Sequence, residues 1–158
     1  MDPDAPPSTM LTRADHGCFG CGDGNPCGLK LKFQTVGAGE VVAEFTPRRQ
    51  DEGFFDVVHG GIVGTMLDEA MAWAAFADGV WAVTARMELR FLAPVVVGTP
   101  VTVHGVVTKH RGRVIETSGR ITRVEDGVVL AEATGTFMRV PEAQARAWQE
   151  RYLQQGNT

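Results

Sequence analysis

The chain has 158 residues, 44% of them apolar and 22% charged, with a formal net charge of -4, a length that suits one domain with a core large enough to need no staples. That balance carries no basic footprint for nucleic acid or for an anionic membrane surface, and no run reaches the roughly 18 apolar residues of a spanning helix. Three cysteines, an odd number, do not make a disulfide framework.

Residues 1–15, with Pro3, Pro6 and Pro7, read as a flexible N-terminal arm. The arm lacks the basic and apolar regions of a secretion signal, so a cytoplasmic location is expected. His16 to Gly28 is dense in Gly and Cys, and Gly22-Asp23-Gly24-Asn25-Pro26 is a turn cluster that delivers the chain into a strand. That strand, Leu29 to Val36, sets Leu29, Leu31 and Phe33 against Lys30, Lys32 and Gln34, the period of two of a half-buried strand. Gly37 to Gly39 turns into a hairpin partner, Glu40 to Thr46. Pro47 to Val58 is polar and irregular, and its adjacent Phe54 and Phe55 either cover a pocket or interface or plug the edge of the core.

Gly60 or Gly61 opens an almost wholly apolar helix that runs to about Ala77, where Asp78-Gly79 stops it. Four β-type segments follow: Trp81 to Leu92, Pro100 to Lys109, Arg113 to Val124 and Val128 to Met138. The last two are joined by Glu125-Asp126-Gly127, a hairpin signal. A short helix over Glu142 to Gln155 closes the chain, so the domain spans 16–140 and 141–158 is a helix and tail. Two strands, a long helix and four strands, with no β-α-β alternation, predict the α+β class: an antiparallel sheet of five to six strands on one long central helix. A helix apolar on nearly all sides needs more cover than one sheet face gives, and a second copy of the chain supplies it economically.

Two carboxylates, Asp68 and Glu69, sit in the middle of that helix, where an unpartnered ionised carboxylate is unfavourable by several kcal/mol. At 100° per residue, Ile62, Met66, Trp73 and Phe76 form one stripe with Glu69 inside it. Asp68 falls on a face of small residues with Gly61, Thr65, Ala72 and Ala75, where a ligand can approach closely and where a carboxylate can act as nucleophile or general base. Ahead of it, Gly60 and Gly61 present backbone N–H groups at the positive end of the helix, suited to an oxyanion, to any other buried anion, or to tight packing. His59 is more often a structural hydrogen-bonding residue than a base. No Ser or Cys nucleophile lies beside a plausible His, and neither a phosphate loop nor a His-Glu-x-x-His pattern is present.

His16, Cys18, Cys21 and Cys27 together offer the four soft ligands of a structural zinc. A single Cys-x-x-Cys is a weaker signal than two, a buried or capping role competes with it, and the functional reading therefore uses no metal and no cofactor. Lys109, His110, Arg111 and Arg113 cluster at one strand turn with Arg90 on another strand, either a rim for phosphates or a solvated hairpin tip.

The segment His59 to Ala74, then Ala82-Val83-Thr84-Ala85-Arg86-Met87-Glu88-Leu89-Arg90-Phe91-Leu92-Ala93-Pro94 and Gly98-x-x-Val101, resembles the hotdog-fold acyl-CoA thioesterases of the phenylacetate-pathway type, within the 4-hydroxybenzoyl-CoA thioesterase superfamily. The resemblance covers roughly Cys18 to Val140, and its most specific part is His-Gly-Gly with an Asp nine residues after the His. It implies a hotdog fold, a homodimer or dimer of dimers, an acyl-CoA substrate and hydrolysis at sites shared by two protomers. By the same resemblance the Gly60 N–H polarises the thioester carbonyl, Asp68 of the opposite protomer attacks or activates water, and Thr84 positions that water. His59 and Gly61 flank this centre, and Phe54, Phe55, Glu69, Arg90, Arg111 and Arg113 are the expected substrate contacts. Two departures stand out: where some relatives carry Asn six residues before the His, this chain has Gly53, and Glu69 directly follows Asp68, so that either carboxylate is open to the role, with Asp68 chosen for its family position and its small-residue face. A hotdog protein that binds an acyl thioester without turning it over is the alternative, and a hotdog dehydratase or hydratase is a third.

Overall fold

The computed structural model describes residues 15–153 and the backbone of Ser8–Thr9. Its strands are β1 (Ser8–Thr9), β2 (Gln34–Gly37), β3 (Glu40–Phe45), β4 (Ala82–Phe91), β5 (Val101–Arg111), β6 (Val114–Arg123) and β7 (Val129–Arg139), and its helices are α1 (Gly60–Ala77) and α2 (Glu142–Tyr152). All strands join one antiparallel sheet in the order β1-β2-β3-β5-β6-β7-β4. Six of them match the expected sheet. The seventh, β1, is a two-residue edge pairing Ser8 with Thr35 and Thr9 with Gln34; the rest of the expected 1–15 arm, apart from Asp15, lies outside the described residues, as do residues 154–155 of the expected final helix. No helix among the described residues is long and apolar enough to cross a membrane.

The core forms between α1 and one face of the long strands. Alternation puts Val101, Val103 and Gly105 of β5, Ile115, Thr117, Gly119 and Ile121 of β6, and Ala131, Ala133, Gly135 and Phe137 of β7 on the buried face, as the period of two requires. Val63, Met66, Leu67, Ala70, Met71, Ala74 and Ala75 of α1 meet them. Glycine lets the helix sink into the sheet: Gly105 and Gly119 are directly paired across β5 and β6, and a Cβ on Gly105 would lie 2.2 Å from the Ala70 carbonyl oxygen. That contact is backbone against backbone, so no side chain fits there.

The expected strand over Leu29 to Val36 is corrected at its start. Leu29, Leu31 and Phe33 are buried as the alternation predicts, but the ladder begins only at Gln34. Lys30 has φ 58°, a left-handed conformation that breaks a strand, and the Leu29 and Leu31 N–H groups donate to the Phe19 and Gly20 carbonyls at 2.8 and 2.9 Å. The cysteine segment thus takes the place of a neighbouring strand.

Candidate active site

The start of α1 is held from two sides. The Arg48 guanidinium and backbone N–H both donate to the buried Asp51 carboxylate at 2.7–3.1 Å, and the Asp51 carbonyl accepts the His59 N–H at 2.9 Å. His59 is the N-cap, its Nδ1 accepting the Gly61 N–H at 2.9 Å, which satisfies one of the orphan donors of the first turn. Gly61 is therefore corrected as an oxyanion donor, because its hydrogen is already engaged. The Gly60 N–H meets no acceptor among the described residues and stands exposed at the helix end, where the macrodipole favours developing negative charge. Gly53 packs against His59 so closely that a Cβ there would come 2.9 Å from the His59 Cα, which leaves no room for the Asn of some relatives.

Two turns later Asp68 lies half-buried, and the Thr84 hydroxyl donates to its Oδ1 at 2.7 Å. Thr84 reaches it through a register shift in the β4–β7 pairing between Thr84 and Arg86, a bulge of the kind that re-aims a side chain. The small-residue face holds at Gly61, Thr65 and Ala72, each partly open, whereas Ala75 turns into the core with 1% exposure. Eight residues of helix separate Gly60 from Asp68, which at 1.5 Å per residue is roughly 12 Å. One thioester carbon cannot touch both groups of the same chain.

Glu69 faces elsewhere. The Trp73 indole N–H donates to its Oε1 at 3.0 Å, and the Cys18 Sγ lies 3.6 and 3.7 Å from its two oxygens. Burial pushes its pKa up to about 7, with the neighbouring Cys18 adding to the rise. The Cys18 thiol is pulled down to about 5, chiefly by its hydrogen bond with the Cys21 thiol and further by the backbone N–H groups of Cys21 and Gly20, while that same bond and burial raise Cys21. These groups line a cavity of ≈ 490 Å³ walled by Trp73, Phe76 and Trp81 and closed by Trp148 and Tyr152 of α2. Ala72 and Ala82 also line it, so it opens within one turn of Asp68 and two residues of Thr84.

The remaining expected contacts are dispersed. Phe54 and Phe55 are 88% and 81% exposed, which corrects the reading that they plug the core. Arg90 pairs with Glu132 at 2.7 Å and Arg111 with Glu116 at 2.8 Å, while Arg113 donates to the Arg139 carbonyl at 3.4 Å. Arg111 and Arg113 share the β5–β6 turn, but Arg90 is paired far along β4, so no single cationic rim forms in one chain. Cys18 is visible in the sequence as half of a Cys-x-x-Cys pair but not as part of a cavity, and Trp148 and Tyr152 escape a reading of local pattern, since α2 reaches the cavity only through tertiary packing. The aromatic residues of α2 are their only local signal.

Residues 55–130 match the thioesterase superfamily. An uncharacterised protein of Schizosaccharomyces pombe is 35% identical over 111 residues, 67% of this chain and 63% of that protein. Acyl-coenzyme A thioesterase THEM4 of Mus musculus is 28% identical over 89 residues, 56% of this chain and 38% of that protein. The chain thus spans less than two thirds of the length of the curated relatives it matches. Among solved structures, a thioesterase superfamily protein, RHA08564, superposes with a TM-score of 0.69 at 27% identity, over 72% of this chain and 56% of that one. The Escherichia coli PaaI protein of the phenylacetic acid degradation operon gives 0.67 at 22% identity, over 72% and 81%. Residues 55–130 are those of a thioesterase-superfamily domain, and the chain carries the hotdog fold of that superfamily.

Proposed function

We propose that this chain hydrolyses acyl-CoA thioesters as a symmetric dimer, each site joining the Gly60 N–H of one protomer to the Asp68–Thr84 pair of the other. The observation that carries the reading is the roughly 12 Å of helix between the two groups: each chain holds both halves of an acyl-transfer site, in positions that only a second copy can bring together. The surface agrees. β4 is the last strand of the sheet, its ten residues unpaired on one side among the described residues, and Val83, Phe91 and Leu92 are 46%, 59% and 48% exposed. A long unpaired edge with exposed apolar side chains towards both ends is a template for pairing with another chain. The Gly60 Cα faces the Phe91 ring, so cover laid on that edge also reaches the helix start.

In this arrangement the thioester carbonyl oxygen accepts the Gly60 N–H, and the acyl group enters the cavity beside Ala72 and Ala82. Asp68, aligned by the Thr84 hydroxyl, either attacks the carbonyl carbon or takes a proton from the attacking water. The tetrahedral oxyanion stays on the Gly60 N–H at the positive helix end until the C–S bond breaks and the CoA sulfur leaves. Replacement of Asp68 by Asn is expected to lower hydrolysis of an acyl-CoA panel, followed by free thiol release, at least about a hundredfold with the circular dichroism unchanged. Unchanged turnover in that variant sinks the assignment.

The absent Asn favours a second reading, a protein that binds acyl thioesters without turning them over, since Gly53 leaves no room for that contact. Calorimetric binding of an acyl-CoA by the wild-type chain with no thiol released is the result that would select it.

A further inference from the structure

We propose that Cys18, Cys21 and Glu69 bind a zinc-class divalent metal ion, with the remaining coordination position turned toward the apolar cavity. One ligand atom from each residue lies within 4.8 Å of the others. In a tetrahedral zinc site with Zn–S about 2.3 Å and Zn–O about 2.1 Å, neighbouring sulfur and oxygen ligands stand about 3.6 Å apart. Cys18 Sγ stands 3.6 Å from one Glu69 oxygen and 3.7 Å from the other. The third ligand comes from the central helix, 48 residues after Cys21.

The loop is built around this cluster. A Cβ on Gly20 would fall 2.4 Å from Glu69 Oε2, and one on Gly22 would fall 2.4 Å from the His16 carbonyl oxygen and 2.5 Å from the Cys18 nitrogen. The Gly22 N–H closes the turn on the Cys18 carbonyl at 2.9 Å. The Trp73 indole N–H on Glu69 Oε1 is an outer contact of the kind that orients metal ligands. Two sulfurs and one carboxylate select a zinc-like ion over magnesium or calcium, which take oxygen ligands. Cys27 stands apart: it is exposed, and its own N–H is bound to the Asn25 side chain at 3.0 Å. The ligand set is thus not the four residues of the linear motif, and it accounts for the second helix acid, which hydrolysis does not use.

The test is metal titration of the full-length chain in reducing buffer after dialysis against a chelator. Cobalt(II) is expected to bind one ion per chain with a sulfur-to-cobalt charge-transfer band, and zinc(II) to abolish that band by displacement. Cys18→Ser, Cys21→Ser and Glu69→Gln each weaken cobalt binding by more than about a hundredfold, the upper end of what loss of an outer contact costs, whereas Cys27→Ser and Asp68→Asn leave it unchanged. Absence of a stoichiometric cobalt band in the wild-type chain overturns the proposal, as does an equal loss in Cys27→Ser. Where a cysteine variant does not fold, Glu69→Gln and the wild-type titration decide alone. A band that survives Glu69→Gln at full affinity removes the helix acid from the site and refutes the assignment.

Discussion

Gly60 contributes one N–H and no side chain, so the informative variant keeps the helix start and removes only that hydrogen. Proline does this at the first helical position, where its missing donor and fixed φ are tolerated. His59 already has φ -58° and ψ 133°, the extended conformation a following proline requires, and a Cβ at position 60 meets only the Phe91 ring at 3.7 Å. Gly60→Pro is therefore expected to fold with wild-type circular dichroism and to lose about 10²–10³ in kcat, the size of one oxyanion donor. Glu69 makes a different prediction, in stability. Its pKa rises from 4.5 to about 7 on folding, so the folded chain favours the protonated form. That contribution is fully present below pH 4.5 and lost as pH rises through about 7. In chelating buffer, Glu69→Gln should gain on the wild type by an amount on the order of 3 kcal/mol between pH 4.5 and pH 8, read from denaturant midpoints; parallel pH profiles would contradict the buried-acid account. At this scale the sequence was informative about Asp68, because helical projection alone separates it from Glu69. The same projection sets Trp73 one turn from Glu69, where its indole N–H is found, but the sequence was silent about the cysteine partner of Glu69, because a loop more than forty residues away supplies it and no local period encodes that approach.

Among the elements, α1 is fixed by how deeply it sinks into β5 and β6. The Gly105–Gly119 pair forms a trough for the Ala70 backbone, and Gly105→Ala forces backbone to move rather than a side chain. A loss of about 3 kcal/mol or more in unfolding free energy is expected, against about 1 kcal/mol or less for Ala at the exposed position Gly17, where nothing lies within 4 Å. Comparable losses at the two sites would mean that the helix rides higher than described. The elements themselves were largely legible: six strands, their succession along the chain and the long helix follow from periodicity, Gly-rich turns and the apolar run, whereas the order of the strands in the sheet does not. The start of β2 was not. Alternation of Leu29, Leu31 and Phe33 reports which face is buried, and it is right, but it does not report which backbone accepts the N–H groups. Lys30 at positive φ hands them to the cysteine loop. Gly105 was visible as a glycine inside a strand pattern, yet only the helix packed on it shows what that glycine permits.

At the scale of the whole molecule, a site shared between protomers can be tested by mixing. In a dimer that pairs Gly60→Pro with Asp68→Asn, one shared site carries both defects and the other carries none. Random exchange of equal amounts of the two inactive variants is thus expected to restore about a quarter of wild-type activity. If both groups acted within one chain, mixing would restore nothing. A helix too apolar for one sheet to cover was the sequence's argument for a second protomer, but the roughly 12 Å between Gly60 and Asp68 emerges only once the span is known to be unbroken helix. One further property follows from how the cavity is walled. Its floor is the helix and the first residues of β4, while its lid is two peripheral segments, His16 to Cys21 and Trp148 to Leu153, which meet where Tyr152 packs edge-on against His16. Neither segment belongs to α1, which carries Asp68, or to the β4–β7 pairing, which sets the position of Thr84. The lid of the chamber and the proposed chemical machinery are therefore encoded in separate stretches of the gene, and selection can widen or narrow the chamber from its lid by substitutions at positions such as Trp148 without disturbing the register of Thr84.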